Sequence, residues 1–388
     1  MILANFRTSI PQSISLFTCQ DCHIGRFCVN INQALATTVK NKIMSAKIPI
    51  KLVGGIGSPY TRKMVALLRY RHIPYEVIWG DPTRVLGQLG VKTARINLLP
   101  TFLFKDENGQ LEAVCDSTPI IRQLESEYSD RSVIPTDPVV RFIDFLLEDF
   151  ADEWCTKYMF HYRWQFSEDA ENAATLLPLM TEFSMSKEQA LYFKDFVAQR
   201  QKDRLDVVGS SDATAPIIDA SYRRLLNALE AHFERQPFLL GQRPSASDFA
   251  LYGQLTQLIG FDPTPSRIAH SLSPRAVAYM TLMEDQSGHP AKEENWQSAD
   301  DLPVTIKCVL KEVGRVYMPA LLANAAALEA GNTDWKTEID GAEWSQRTFP
   351  YQAKCLRWIR EEFQKLEPSD AQRVRDILID TDCDRLLL

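Results

Sequence analysis

The sequence has no apolar run long enough to cross a membrane. Its longest candidate, Val316 to Leu328, is broken by Pro319 and Asn324 and falls short of the roughly 18 residues that a span needs. It has no surplus of positive charge. Its 43 basic residues stand against 50 acidic ones, for a net charge of −7, which argues against a general nucleic-acid scaffold. Cysteine is sparse, and past Cys28 it is scattered over positions 115, 155, 308, 355 and 383. That is not the framework of a small secreted disulfide domain, and it points to free thiols in a reducing compartment. Internal repeats and low-complexity tracts are absent as well. What remains is ordinary: 388 residues, 45% hydrophobic and 24% charged, the composition of a soluble globular protein of two to three domains.

Residues 1–47 differ from the rest. They carry Arg7, Arg26, Lys40, Lys42 and Lys47 against one acid, Asp21. Such a basic, acid-poor leader reads either as an organelle transit peptide or as sequence upstream of a start at Met44. The first reading implies an organelle matrix and the second the cytoplasm. The segment is left out of fold reasoning. It contains Cys19-Gln-Asp-Cys22-His23 and then Cys28, which on spacing is a c-type haem string or three-quarters of a zinc site. No second metal-binding cluster follows, so no metal is expected.

The organised chain starts with a buried strand from Ile48 to Val53, ending in Gly54-Gly55-Ile56-Gly57. Ser58 followed by Pro59 is a helix start, with Ser at the cap and Pro in the first turn. That helix should end before Ile73-Pro74, and Tyr75 to Trp79 is a second strand. Thr101 to Phe104 and Leu111 to Cys115 flank Asn108-Gly109, a hairpin signal. Asp116-Ser117-Thr118-Pro119 opens another helix. After Pro138 strand signals nearly vanish and helical patterns run to the end. The glycine-rich turn is neither a P-loop nor a dinucleotide fingerprint, because the Gly-Lys-Ser/Thr ending and the helix-opening glycine are missing.

The stretch Ser58-Pro59-Tyr60-Thr61-Arg62-Lys63, followed by Ile73-Pro74-Tyr75-Glu76, resembles the amino-terminal domain of soluble glutathione transferases. Leu99-Pro100-Thr101-Phe102 matches that family's cis-proline before the third strand, and Asp116-Ser117 its acid-serine pair. Far downstream, Ser245 and Asp248 are spaced as a capping box, where the family carries one on a buried helix. The likeness covers about residues 48 to 258. It implies a thioredoxin-like α/β domain (48–130) followed by an all-helical domain (138–388) whose last part extends past the usual family length.

That resemblance also implies a chemistry. A thiol is reactive as its thiolate, and a free thiol has a pKa of about 8.5. A helix amino end, with its unpaired N–H groups and positive partial charge, stabilises a bound thiolate. Ser58 is the expected hydroxyl donor and Tyr60 its rival. Serine at this position favours transfer to an electrophile over disulfide chemistry. The family further implies that Leu99, beside Pro100, pairs with the cysteinyl part of glutathione, that Ser117 meets the γ-glutamyl carboxylate, and that Asp116 meets its amine. The residues before Pro100, Thr93 to Leu99, lack the family's usual glycine and lysine, which leaves Lys92 or Arg95 for the glycyl carboxylate.

Trp154, Tyr158, His161 and Arg163 are expected to line the electrophile pocket on the first helices of the second domain. Glu148, Asp149, Asp152 and Glu153 read as a solvated face, with Glu153 and Lys157 as an i,i+4 pair. The expectation is thus a glutathione-using transferase of the detoxification type, acting on a small electrophile and paired as a homodimer, with no metal, nucleic acid or membrane partner. The alternative is a noncatalytic binding or assembly protein on the same fold.

Overall fold

The computed structural model describes residues 48–94 and 96–388; the leader with Cys19, Cys22, His23 and Cys28, and also Arg95, lie outside the described residues. Strand β1 (Ile50–Gly54) pairs parallel with β2 (Tyr75–Trp79) and antiparallel with β3 (Thr101–Lys105), which pairs antiparallel with β4 (Leu111–Val114). The sheet order is β2-β1-β3-β4. Helix α1 (Pro59–Tyr70) makes the crossover between β1 and β2, as a parallel pair requires. A short helix, α2 (Pro82–Leu89), occupies the stretch between β2 and β3. The β3–β4 turn is closed by Asp106, whose carboxylate accepts from the backbone N–H of Asn108 (2.9 Å) and Gln110 (2.8 Å), with Gly109 at φ 76°. This is the chemistry expected of Asp and Gly in a tight turn. The Leu99–Pro100 peptide is cis.

Helix α3 (Ser117–Glu127) completes the α/β part, and from Asp137 onward the chain is mainly helical. Asp137 caps α4 (Pro138–Glu153) by accepting from Val139 N and Val140 N. Helices α5 (Cys155–Gln165), α6 (Ser167–Thr181), α7 (Lys187–Lys202) and α8 (Ala215–Phe233) follow, and then α9 (Ala246–Leu258), every residue of which is buried. The expected capping box is present, with Asp248 accepting from Ser245 N at 3.0 Å. Helix α9 packs on both α1 and α4. Its Gly253 permits that approach, because a Cβ there would stand 2.5 Å from the carbonyl oxygen of Pro59. The start of α1 is therefore fixed by direct backbone contact with the core helix.

Helices α10 (Pro263–Leu272), α11 (Pro274–Met283), α12 (Val304–Glu312) and α13 (Met318–Glu329) lead into a β-hairpin, β5 (Asp334–Ile339) with β6 (Ala342–Arg347). This corrects the expectation of helices alone. The hairpin turns on Asp340-Gly341, both at positive φ, the dipeptide that favours a two-residue turn. Trp335, Ile339 and Trp344 alternate inward and are buried. The final helices are α14 (Pro350–Gln364) and α15 (Pro368–Leu378). Residues of the sheet, of the helical part and of the extension after α11 share one continuous apolar core. No helix among the described residues is long and apolar enough to cross a membrane.

Candidate functional site

The glycine-rich turn after β1 delivers Ser58 to the start of α1, where it is the cap. Its hydroxyl accepts from Thr61 N at 3.2 Å and donates its single proton to the carbonyl oxygen of Leu99 at 3.3 Å. Ser58, the cis peptide at Pro100 and the amino end of α1 thus meet at one point. Thr61 braces the turn from inside by accepting from Gly55 N.

Tyr60 points elsewhere. Its hydroxyl donates to the backbone oxygen of Asp152 at 2.7 Å, tying α1 to the end of α4. Burial, then the nearby carboxylates of Glu153 and Asp152, push this phenol well above its ordinary range.

Asp116 stands before α3 at φ 90° and ψ 104°, a conformation that L side chains rarely adopt and that costs ~1–3 kcal/mol unless its surroundings enforce it. Its carboxylate makes no cap bond to the helix. It accepts instead from the Tyr351 hydroxyl at 2.9 Å and pairs with Lys354 Nζ at 3.4 Å. Both partners lie on α14, and nothing in the sequence pattern near Asp116 points to them. Ser117 is buried and accepts from Lys63 Nζ at 3.1 Å.

Lys63 is the centre of a buried ionic network. Its ammonium donates to Glu148 (2.8 Å) and Asp152 (2.6 Å), while Arg122 reaches the other oxygen of Glu148 at 2.6 Å. Thr118 also donates to Glu148. Of the acids that read as a solvated face, Glu148, Asp149 and Asp152 are therefore interior and Glu153 is half-buried; Asp144, one turn before Glu148, is fully buried as well. A signal was available: Asp144, Glu148 and Asp152 recur at four-residue steps, a single row on one helix face, in a helix otherwise apolar on most sides. Burial favours the neutral acid, yet Arg122 and Lys63 overcome it at Glu148 and hold that carboxyl down to about 2. At Asp152 burial prevails over Lys63, and the group is pushed up to about 6. Glu153 does not pair with Lys157. Gln352 donates to Glu153, while Lys157 donates to Val208 O and Gln346.

These environments set a pH response. Burial pushes Asp144 and Asp149 up to about 7 and Glu153 to about 8, against about 4 in an unfolded chain. Between pH 8 and 6.5 the folded state thus binds more protons than the unfolded one, and stability rises as pH falls. Opposing shifts act at the edges of that window. Lys157, pushed down to about 8 by burial, acts at its upper edge, and the buried histidines His161 and His232, both lowered, act at its lower edge. Within it the three raised carboxyls outweigh them. The melting temperature is expected to rise from pH 8 to 6.5 in scanning calorimetry. A flat or falling trend contradicts these assignments.

The four residues expected around the electrophile lie in the interior, each under 5% exposed. Tyr158 shares a hydrogen bond with Ser221 at 2.7 Å, and Trp154 Nε1 donates to the same hydroxyl. His161 Nδ1 is bonded to Ser210, and burial pushes its pKa down to about 4. Arg163 forms an ion pair with Asp262 and donates to Gln257. Their spacing along α5 and at Trp154 just before it suggests a lining, but that helix is buried nearly all round and has no single apolar face. Phe150 is core. Lys92 is exposed. Among the described residues no group of three or more His, Cys, Asp or Glu side chains is placed to hold a metal ion.

Residues 52–132 match the glutathione S-transferase N-terminal domain, and residues 201–282 match the glutathione S-transferase C-terminal domain. Similar solved structures include the Tau class glutathione S-transferase MiGSTU from mango, Mangifera indica. It is 16% identical with a TM-score of 0.37, over 66% of this chain and 96% of that one. Another is FzlA from C. crescentus, at 16% identity and a TM-score of 0.39, covering 66% and 99% of the two chains. A third is a glutathione S-transferase from Methylobacterium radiotolerans in complex with glutathione sulfonate, at 18% identity and a TM-score of 0.32, covering 61% and 95%. No curated protein matched the sequence. The four-stranded mixed sheet followed by helices has the glutathione transferase architecture.

Proposed function

We propose that this glutathione transferase-like protein is an enzyme that activates a glutathione-type thiol at the amino end of α1 for attack on a small electrophile. The observation that carries the reading is the bonding of Ser58. A hydroxyl has one proton and two lone pairs. One lone pair caps the helix through Thr61 N, and the proton rests on the neutral Leu99 carbonyl at a long 3.3 Å. A thiolate is the stronger acceptor, since charge-assisted hydrogen bonds are roughly twice as strong as neutral ones. The proton can therefore turn to sulfur while the cap stays in place, so capping and activation are compatible roles for one side chain. The helix end adds its positive partial charge. When the Ser58 proton turns to sulfur, the Leu99 carbonyl beside the cis-proline is released for an extended ligand, and the first turn of α3 at Ser117 suits a carboxylate. The strained backbone of Asp116 lies beside that turn, and such strain gathers at functional sites.

The second reading, a noncatalytic binding module, is favoured by one specific observation: Tyr60 and Asp116 are both bonded within the chain. Retention on immobilised glutathione, with new thiolate absorbance when glutathione is added, is expected for the enzyme. Absence of both at millimolar glutathione would leave the binding module.

A further inference from the structure

Past residue 282, outside both matched domains, the chain returns to the site. Helix α14 presents Tyr351 and Lys354 one turn apart, and together they take both oxygens of Asp116: Oδ1 accepts from the Tyr351 hydroxyl at 2.9 Å and Oδ2 faces Lys354 Nζ at 3.4 Å. The ammonium is also held from behind. It lies 3.9 Å from the ring centre of Trp358 and 5.3 Å from that of Tyr351, a cation–π cradle on two sides. Lys354 is thus positioned by a carboxylate and two rings, next to the amino end of α3. Asp116 therefore has a cationic partner within the chain before any ligand arrives.

We propose that Lys354 is the resident counter-ion of Asp116 and a specificity-determining residue, so that the site selects thiols whose acyl end carries a carboxylate and no ammonium group. The inference rests on the thiol-site reading above. A ligand ammonium approaching Asp116 meets a like charge that is already seated there and must displace it from three partners. A ligand carboxylate meets two favourable fields, the amino end of α3 and the Lys354 ammonium. Glutathione carries both an ammonium and a carboxylate on its γ-glutamyl end. Its deamino analogue, glutaryl-cysteinyl-glycine, carries the carboxylate alone.

The test is calorimetric titration of the full chain with these two thiols. Wild type is expected to bind the deamino analogue more tightly, by about tenfold or more, the range of one charged hydrogen bond. Lys354→Met removes the cation from Asp116 and leaves it bonded to Tyr351 alone, and is expected to reverse the order, whereas Lys354→Arg keeps it. Should Lys354→Met fail to fold, Trp358→Leu removes only the ring beneath the ammonium and is expected to narrow the preference in the same direction. Tighter binding of glutathione by wild type overturns the proposal and leaves the thiol site standing. An unchanged preference in a folded Lys354→Met protein overturns the role of Lys354. If neither thiol binds any of the proteins, the thiol-site reading falls and takes this inference with it.

Discussion

Replacing Ser58 by Ala is expected to lower conjugation at neutral pH by ~10²–10³-fold, the usual effect of removing one preorganised donor to an anion. Thiol affinity should change little, because in the proposed mode Ser58 meets only the sulfur. The pKa of the bound thiol should rise, since its charged form loses a donor. The structure adds a second expected effect of a different size. The lost bond from Thr61 N removes a helix cap, which costs ~1 kcal/mol of stability. Titrating thiolate absorbance separates the two effects from each other. Tyr60→Phe is the companion variant. Its hydroxyl is already donated to Asp152 O, so it should lose some stability and leave the thiol titration where it was. A shifted titration in Tyr60→Phe together with an unmoved one in Ser58→Ala would transfer the donor role to Tyr60. An unmoved titration in both would leave activation to the helix N–H groups alone.

The second large effect concerns Lys63. Lys63→Met leaves Asp152 buried without its cation and removes one of the two cations on Glu148. Breaking a buried pair from one side costs ~3–5 kcal/mol, because the remaining charge is stranded. Urea unfolding at pH 7 should show a loss in that range. The loss should shrink on acidification. Asp152 is pushed up to about 6 even with Lys63 in place, and without the lysine it rises further, so near pH 5 it is neutral and needs no partner. Asp152→Asn in the Lys63→Met background should recover part of the stability by the same logic. A loss below 1 kcal/mol, or one that grows as pH falls, would refute the account of the network.

The sequence made the α/β part legible for physical reasons. Ser58-Pro59, Asn108-Gly109 and Ser245 with Asp248 each act on the few residues around them, so local spacing is enough to read them. The cis bond at Pro100 was legible by resemblance. The partners of the site residues were not, because they are set by distant chain. Lys63 meets Glu148 across 85 positions, and Asp116 meets Tyr351 across 235. The acids of α4 were misread because a helix buried on most faces has no solvated side against which to judge a charge. The burial of Trp154, Tyr158, His161 and Arg163 is hidden from the sequence for the same reason. The hairpin at Asp340-Gly341 differs from these, for its turn dipeptide and alternating tryptophans are local signals. They were outweighed by the helical patterns on both sides.

The way the extension is woven into the interior sets an order of events during synthesis. Trp154, on the early part of the helical domain, packs its ring 5.3 Å from that of Trp344. The Gly314 position is closed over by the carbonyl of Thr381, and Cys383 and Leu386 are fully buried. Domains generally fold as they leave the ribosome, amino end first, at ~5–20 residues per second. Here the two matched domains emerge with apolar faces whose partners are still untranslated, and for several seconds those faces have nothing of their own to cover them. A ribosome-bound nascent chain ended after residue 282 should therefore be open to protease, and protection should arrive only when the last forty residues are out.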